Sequence, residues 1–358
     1  MRLRREARPV RLSVVMPVYD VAQWLPECLA SVEKQDFHDW ELIVVDDGSP
    51  DDSVKIVERW AKRRQVKGLV RIVRQDNAGL GAARNTGLGL VQAPLVAFLD
   101  SDDVLPVGSW SRLVRAAEQG ESEIVIGRAD RWDGVRQWTT PLMKRNHQTE
   151  LRGVTISSHP LLLADVFAWN KLYRSSVWQD LRFPEEIRYE DQPAITAALL
   201  AARSIDVLTE PVYLWRSRPD SITTAPKDLA DLTDRMATKQ LSLESVRAFG
   251  DPEVTRVFVT EVLPIDMWEY FRGAAAADSA YWKKLVETTR QIWSELPFAQ
   301  TVVPAQQRLM GWLVTQDRRA DLIEWLSLLD SRGVSALLVD GRLEHPWQGE
   351  PNLPDFVT

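Results

Sequence analysis

Two carboxylates spaced two residues apart, Asp100 and Asp102, end an apolar stretch in Asp100-Ser101-Asp102-Asp103. In an extended turn both can face one crevice, and because close like charges repel they persist most comfortably around a cation. Hard oxygen ligands in this number suit Mg²⁺ or Mn²⁺ shared with phosphates. The same residues also read as a solvated turn in which Asp102 or Asp103 caps the next helix. A second acidic turn, Asp46-Asp47-Gly48-Ser49, follows a neighbouring apolar stretch. Taken alone it is a turn with a cap, because glycine permits positive φ and serine caps readily. Two acidic ends on neighbouring strands weaken the plain reading of both. Asn77, Arg84 and Asn85 form a third group. An arginine on the first turns of a helix at this edge can grip a diphosphate as a fork, the alternative being an ordinary surface arginine. Finally, Tyr189-Glu190-Asp191 opens an apolar helix with Pro193 in its first turn. A helix N-terminus favours an ionised carboxylate, so Asp191 reads either as a base or as a cap.

The elements that must carry these groups alternate. Strands are expected at Leu12 to Val18, Glu41 to Val45, Leu69 to Val73, Pro94 to Leu99 and Glu123 to Ile126. Helical spacing lies between them, at 24–32, 54–60, 80–90 and 110–117. Repeated strand–helix–strand units predict an α/β fold: a doubly wound, mostly parallel sheet with helices on both faces. Ligands of such sheets bind at the carboxyl ends of the strands, which is where the polar clusters fall. The stretch from Arg128 to Trp215 is less regular, with a strand-like segment from Val207 and then Arg216-Ser217-Arg218 and Ser221. Near Pro226 the pattern turns almost wholly helical. Two domains are expected, 1–225 and a separate helical C-terminal domain at 226–358. In the latter Trp268, Trp282, Trp293, Trp312 and Trp325 recur at helix-like positions and read mostly as core.

Composition narrows the classes. The chain has 358 residues, 45% of them hydrophobic, with 15 Trp, which excludes a disordered polymer. A single cysteine, Cys28, excludes an intrachain disulfide framework and a Cys-based zinc site, and favours a reducing compartment. Net charge −7 speaks against nucleic acid as a partner. No apolar run approaches the roughly 20 residues of a membrane span, although Arg2, Arg4, Arg5, Arg8 and Arg11 offer a contact to an anionic membrane surface. The first strand lacks the Gly-x-Gly-x-x-Gly of a dinucleotide fold, and no Gly-x-x-x-x-Gly-Lys-Ser/Thr occurs.

Together Val14-Val15-Met16-Pro17-Val18-Tyr19, Val44-Val45-Asp46-Asp47-Gly48-Ser49, Asn77-Ala78-Gly79 with Ala83-Arg84-Asn85-Thr86-Gly87, and Phe98-Leu99-Asp100-Ser101-Asp102-Asp103 closely resemble the glycosyltransferase family 2 domain, the inverting GT-A class. Trp169-Asn170-Lys171-Leu172-Tyr173 and Tyr189-Glu190-Asp191 extend the likeness to about residue 225, where it is similar to bacterial wall polymer and polysaccharide transferases, including those that decorate teichoic acids. The resemblance implies a hexosyl transfer from a nucleotide-diphospho-sugar donor, most simply a UDP-sugar, to a glycan, wall polymer or lipid-linked acceptor. It implies that Pro17, Tyr19 and Asp47 line the nucleobase and ribose pocket, that Asn77 and Arg84 contact base and diphosphate, and that Asp100 supports the ribose. Asp102 would hold Mn²⁺ or Mg²⁺, and Asp191 would be the catalytic base. Arg216, Arg218 and Ser221 would close over phosphates, while Trp169, Asn170, Lys171 and Glu190 would meet the acceptor. Two further classes stay open: a nucleotidyltransferase, which lacks its usual Gly-rich basic loop here, and a non-catalytic nucleotide-sugar-binding or scaffold module of a cell-envelope assembly. A cytoplasmic site, at the inner face of the membrane if the basic tail binds there, and self-association complete the expectations.

Overall fold

The computed structural model describes residues 10–63, 70–218, 227–333, 337–339, 342–347, 354 and 356. Arg2, Arg4, Arg5, Arg8 and Ser221 lie outside the described residues. The chain forms two compact units, Met1–Ile222 and Thr223–Thr358.

In the first unit the expected alternation is realised: β1 (Leu12–Val18), α1 (Leu25–Glu33), β2 (Trp40–Asp46), α2 (Ser53–Ala61), β3 (Val70–Arg74), α3 (Leu80–Leu88), β4 (Leu95–Phe98), α4 (Ser109–Gly120) and β5 (Ile124–Trp132). There follow β6 (Gln137–Trp138), α5 (Pro141–Asn146), β7 (Leu151–Val154), β8 (Lys171–Arg174), α6 (Asp191–Ala201) and β9 (Ile205–Arg216). All seven residues of β1 and of β2 are buried, as strands covered on both faces must be. The order is β3-β2-β1-β4-β8-β5-β9-β7, with β6 paired to β5. Strands β1 to β5 and β9 run in one sense, and β6, β7 and β8 in the other. The sheet is therefore the doubly wound α/β arrangement, interrupted by one antiparallel strand. That strand, β8, is the Leu172-Tyr173 segment of the irregular middle, slotted between β4 and β5. Being antiparallel, it starts at the edge where β4 and β5 end, which carries Trp169 to Lys171 to that edge.

The second unit is helical: α7 (Leu229–Phe249), α8 (Pro252–Val257), α9 (Met267–Gly273), α10 (Ser279–Ile292), α11 (Ala305–Thr315) and α12 (Arg319–Arg332). A short antiparallel pair, β10 (Leu338–Val339) with β11 (Arg342–Leu343), breaks the all-helical expectation. Trp282, Trp293 and Trp325 are core; Trp312 is half-buried and Trp268 is exposed.

Candidate active site

The polar clusters converge at the carboxyl ends of β1, β2 and β4. At the end of β2 the Asp46 carboxylate accepts the Ser49 N–H at 3.0 Å and closes the turn. Gly48 is required there twice over. Its φ is +75°, and a Cβ would stand 3.0 Å from the Asn77 backbone nitrogen. Asp47 is buried and accepts from Gln75 Nε2 (2.7 Å), Ala78 N (3.0 Å) and Gly79 N (2.9 Å). It thus latches the β3–α3 loop, which carries the exposed Asn77, onto β2. Pro17 is buried in β1 and Tyr19 stands out beside it, half exposed.

Arg84 is the hub. It projects from α3, is only 1% exposed, and puts Nη1 on the Glu190 carboxylate and Nη2 on Asp100 at 2.9 Å. Its guanidinium also stacks over Phe183 at 5.2 Å. Burial alone would lower its pKa, but Asp100, Glu190 and Asp191 together hold it above the ordinary arginine value. Glu190 shows the other side of the contest. Burial, reinforced by Asp191 and opposed by Arg84, pushes its carboxyl up to about 7. Asp191 follows as the first residue of α6, half-buried and close enough to Arg84, Glu190 and Lys171 to bear on their charge.

The chain from Phe183 to Asp191 reaches this hub because α3 lets it come close. A Cβ on Gly81 would lie 2.1 Å from Pro184 O and 3.3 Å from Glu190 Cγ. Asn85 donates from Nδ2 to Phe183 O and accepts the Phe183 N–H at Oδ1, both at 2.9 Å. Glu186 and Tyr189 take φ of +56° and +63°, conformations that non-glycine residues adopt only where the surroundings hold them. The fork of Arg84 is therefore spent on two carboxylates, a positioning role that the spacing alone did not suggest.

At the end of β4 the three aspartates separate by partner. Asp100 takes Arg84. Asp102 Oδ2 is 3.0 Å from Arg218 Nη2, and burial raises its pKa against the pull of Arg218. Asp103 is fully buried, its Oδ1 accepting the Arg216 N–H at 2.7 Å, and burial raises its pKa strongly. The Tyr213 hydroxyl accepts the Asp100 N–H at 3.1 Å and hydrogen-bonds Asp103. Neither Asp103 nor Tyr213 was singled out from sequence; the doubled Asp102-Asp103 was the available signal for the first, and nothing marked the second.

Several expected contacts fall elsewhere. Arg216 is 6% exposed and faces inward: Nε donates to Asp102 O (2.6 Å), Nη2 to Glu27 (2.9 Å), and the guanidinium lies between Trp24 and Trp132. It clamps the acidic turn rather than lying open over the crevice. Asn170 and Lys171, expected at an acceptor surface, are fully buried. Lys171 Nζ donates to Asp165 Oδ1 (2.6 Å), Phe167 O (2.6 Å) and Asn170 Oδ1 (2.8 Å), which uses all three of its protons. Asn170 Nδ2 donates to Gly127 O and to Asp165. Burial would raise the Asp165 pKa, yet Lys171 and His147 hold it at about 2. Trp169 is buried as well, stacked on Tyr213 at 4.3 Å and on Phe167 at 4.8 Å. These three residues build the floor of the edge.

Among the described residues no three His, Cys, Asp or Glu side chains form a cage for a metal ion. No described helix is long and apolar enough to cross a membrane. Cys28 is buried beneath the acidic turn, and burial raises its thiol pKa well above the ordinary value.

Comparison with known proteins agrees with the geometry. Residues 13–181 match the model of Glycosyl transferase family 2. The chain is 32% identical over 222 residues to the uncharacterized glycosyltransferase EpsJ of Bacillus subtilis, a match covering 60% of this chain and 63% of that protein. It is 26% identical over 252 residues to the poly(ribitol-phosphate) beta-N-acetylglucosaminyltransferase TarS of Staphylococcus aureus, covering 68% of this chain and 42% of TarS. The chain thus spans less than two thirds of these relatives. The crystal structure of S. aureus TarS 1–349 in complex with UDP-GlcNAc superposes with a TM-score of 0.68 at 20% identity, covering 97% of this chain and 99% of that one, a likeness of fold. The motifs, the sheet and the family match coincide, and over residues 13–181 the chain is similar to glycosyltransferase family 2.

Proposed function

We propose that the N-terminal unit, with the catalytic domain taken as 1–225, transfers a hexose with inversion from a nucleotide-diphospho-sugar, most simply a UDP-sugar, to a hydroxyl of a glycan, wall polymer or lipid-linked acceptor. The observation that carries this reading is the hub of Arg84, Glu190 and Asp100 with Asp191 at the head of α6, set on the carboxyl edge of a family 2 domain. Inverting transfer needs one carboxylate to take the acceptor's proton as its oxygen attacks the anomeric carbon, and the leaving diphosphate then gathers negative charge. Asp191 serves as that base. Glu190 and Arg84 hold its helix start against β4, so the base keeps its place as substrates come and go. Asp47, Asn77, Pro17 and Tyr19 sit together at the β1–β2 edge, where a base and ribose would lie.

For the divalent ion the donor set fits a site shared with substrate. Asp102 keeps its carboxylate on a cation, Arg218, and a hard ion commonly takes one or two carboxylates plus phosphate oxygens. Asp102 would hold Mn²⁺ or Mg²⁺, which when bound supplies Lewis-acid stabilisation of the leaving diphosphate. Arg218 lies where it can pass from Asp102 to that diphosphate. The protein's place is the cytoplasm, which suits its single buried thiol.

A thermal-shift panel of nucleotide-sugars with and without Mn²⁺ tests the reading. At a concentration 100-fold above Kd, binding adds about 2.7 kcal/mol to native stability. At least one UDP-sugar raises the melting temperature in the presence of the ion, and Asp102→Ala removes the ion-dependent part. A panel without any shift contradicts the proposal.

A further inference from the structure

The carboxyl ends of β5 and β9 hold a cation that the mechanism above does not use. Arg131 is the penultimate residue of β5, and its register partners are Trp215 on β9 and Trp138 on β6. Its guanidinium lies 3.8 Å from the centroid of the Trp215 ring. Trp138 is 43% exposed on the outer strand of the row. The three side chains follow one another across the sheet as Trp138, Arg131, Trp215, since residues paired across strands share a face.

The Arg131 side chain makes no hydrogen bond and no ion pair among the described residues, and its Nη1 is shielded from solvent without an acceptor. A half-buried guanidinium in that state is unusual, because a buried donor left unmade costs about 1–3 kcal/mol. The carboxylate that bears on it electrostatically, Asp103, is already engaged by the Arg216 N–H and the Tyr213 hydroxyl. The neighbouring sequence carries the same sign. Between residues 128 and 145 stand Arg128, Arg131, Arg136, Lys144 and Arg145 against Asp130 and Asp133, in a chain of net charge −7. Asp130 is consumed by Arg128, Gln137 and Thr139.

The row is continuous with the site. Trp215 packs on Phe167 at 5.2 Å and on Trp169 at 5.6 Å; Trp169 stacks on Tyr213, whose hydroxyl meets the Asp100–Asp103 turn. Strand β5 is two strands from β4, roughly 10 Å at ordinary sheet spacing.

We propose that Trp138, Arg131 and Trp215 form an anchoring subsite for an anionic acceptor chain, whose charge comes from a phosphodiester or a uronate carboxylate. This rests on the transferase reading and names the acceptor class for it. The planar guanidinium fork pairs with two oxygens of such a group. The exposed Trp138 face takes the C–H side of the adjoining sugar or polyol, and the chain's next hydroxyl is presented toward Asp191. Dispersed basic residues around the row steer a polyanion and leave a neutral glycan unaided.

Calorimetry on the full chain tests this with four probes: a glycerol-phosphate oligomer, an oligogalacturonate, a neutral dextran oligomer, and UDP with Mn²⁺. The wild type binds at least one anionic oligomer in a salt-dependent manner and dextran at least tenfold more weakly. Whichever anionic oligomer binds more tightly identifies the source of the charge. Arg131→Ala and the surface variant Trp138→Ala each weaken that binding about tenfold or more, Arg131→Lys restores part of it, and UDP affinity stays within twofold. Equal binding of dextran, no binding of either anionic oligomer, an Arg131→Ala variant that binds them unchanged, or one that loses UDP affinity to the same extent overturns the subsite. Loss of UDP binding by the wild type would instead contradict the transferase reading.

Discussion

Arg84 and Glu190 meet where burial works against both of them, and the pair persists because each supplies what the other lacks. Breaking such a pair by removing one member leaves an uncompensated charge in a low-dielectric setting. Glu190 nevertheless has its pKa pushed up to about 7, by burial first and then by Asp191, with Arg84 opposing. An acid whose folded pKa exceeds its unfolded value near 4.5 binds more protons in the native state between those limits. Its contribution is therefore full below about pH 4.5 and is lost as pH rises through 7. Over that window the loss is on the order of 3 kcal/mol. Melting temperatures of wild type and Glu190→Gln measured from pH 5 to 8 should converge on different slopes, the wild type falling and the variant flatter. Parallel curves would mean that Glu190 titrates normally and that Arg84 has fully offset its burial.

At the scale of elements, the site depends on how closely α3 and the Phe183–Asp191 segment approach. Gly81 is the contact point, with Pro184 O lying 2.1 Å from where a Cβ would sit. The exposed Gly89 at the other end of α3 has only ordinary contacts, at 3.5 Å and beyond. Gly81→Ala should cost about 1–3 kcal/mol, as overpacking does, and lower transfer activity by displacing Glu190 and Asp191. Gly89→Ala should be neutral or slightly stabilising, since alanine is the better helix former. Chemical denaturation of both variants gives the comparison, and equal stabilities would remove Gly81 as the spacer. The strands and helices around this contact were legible because apolar runs and helical periodicity need no partner to be read. Strand β8 was not: the four residues Lys171 to Arg174 carry no alternation that announces an antiparallel slot between β4 and β5. Lys171 misled for a related reason, since lysine is rarely buried unless paired. Its partner Asp165 lies six residues away, in a stretch without regular periodicity, and only the fold brings the two together.

For the whole molecule, the site's address was readable and its wiring was not. Asp47, Asp100 and Asp102 could be placed at one edge because that edge follows from strand direction alone, whereas Asp191, at a helix start, drew its expected role from the family resemblance. Which carboxylate meets which arginine depends on loops that fold back over more than 100 residues, as Arg84 to Glu190 and Arg216 to Asp102 do. The central claim is that Asp191 is the base on this edge. Its direct measurement is UDP release from a UDP-sugar by Asp191→Asn and wild type, with donor affinity determined by calorimetry on the same preparations. Loss of turnover by about 10³-fold with donor affinity within twofold is the result predicted for a missing general base; turnover within tenfold of wild type would contradict it.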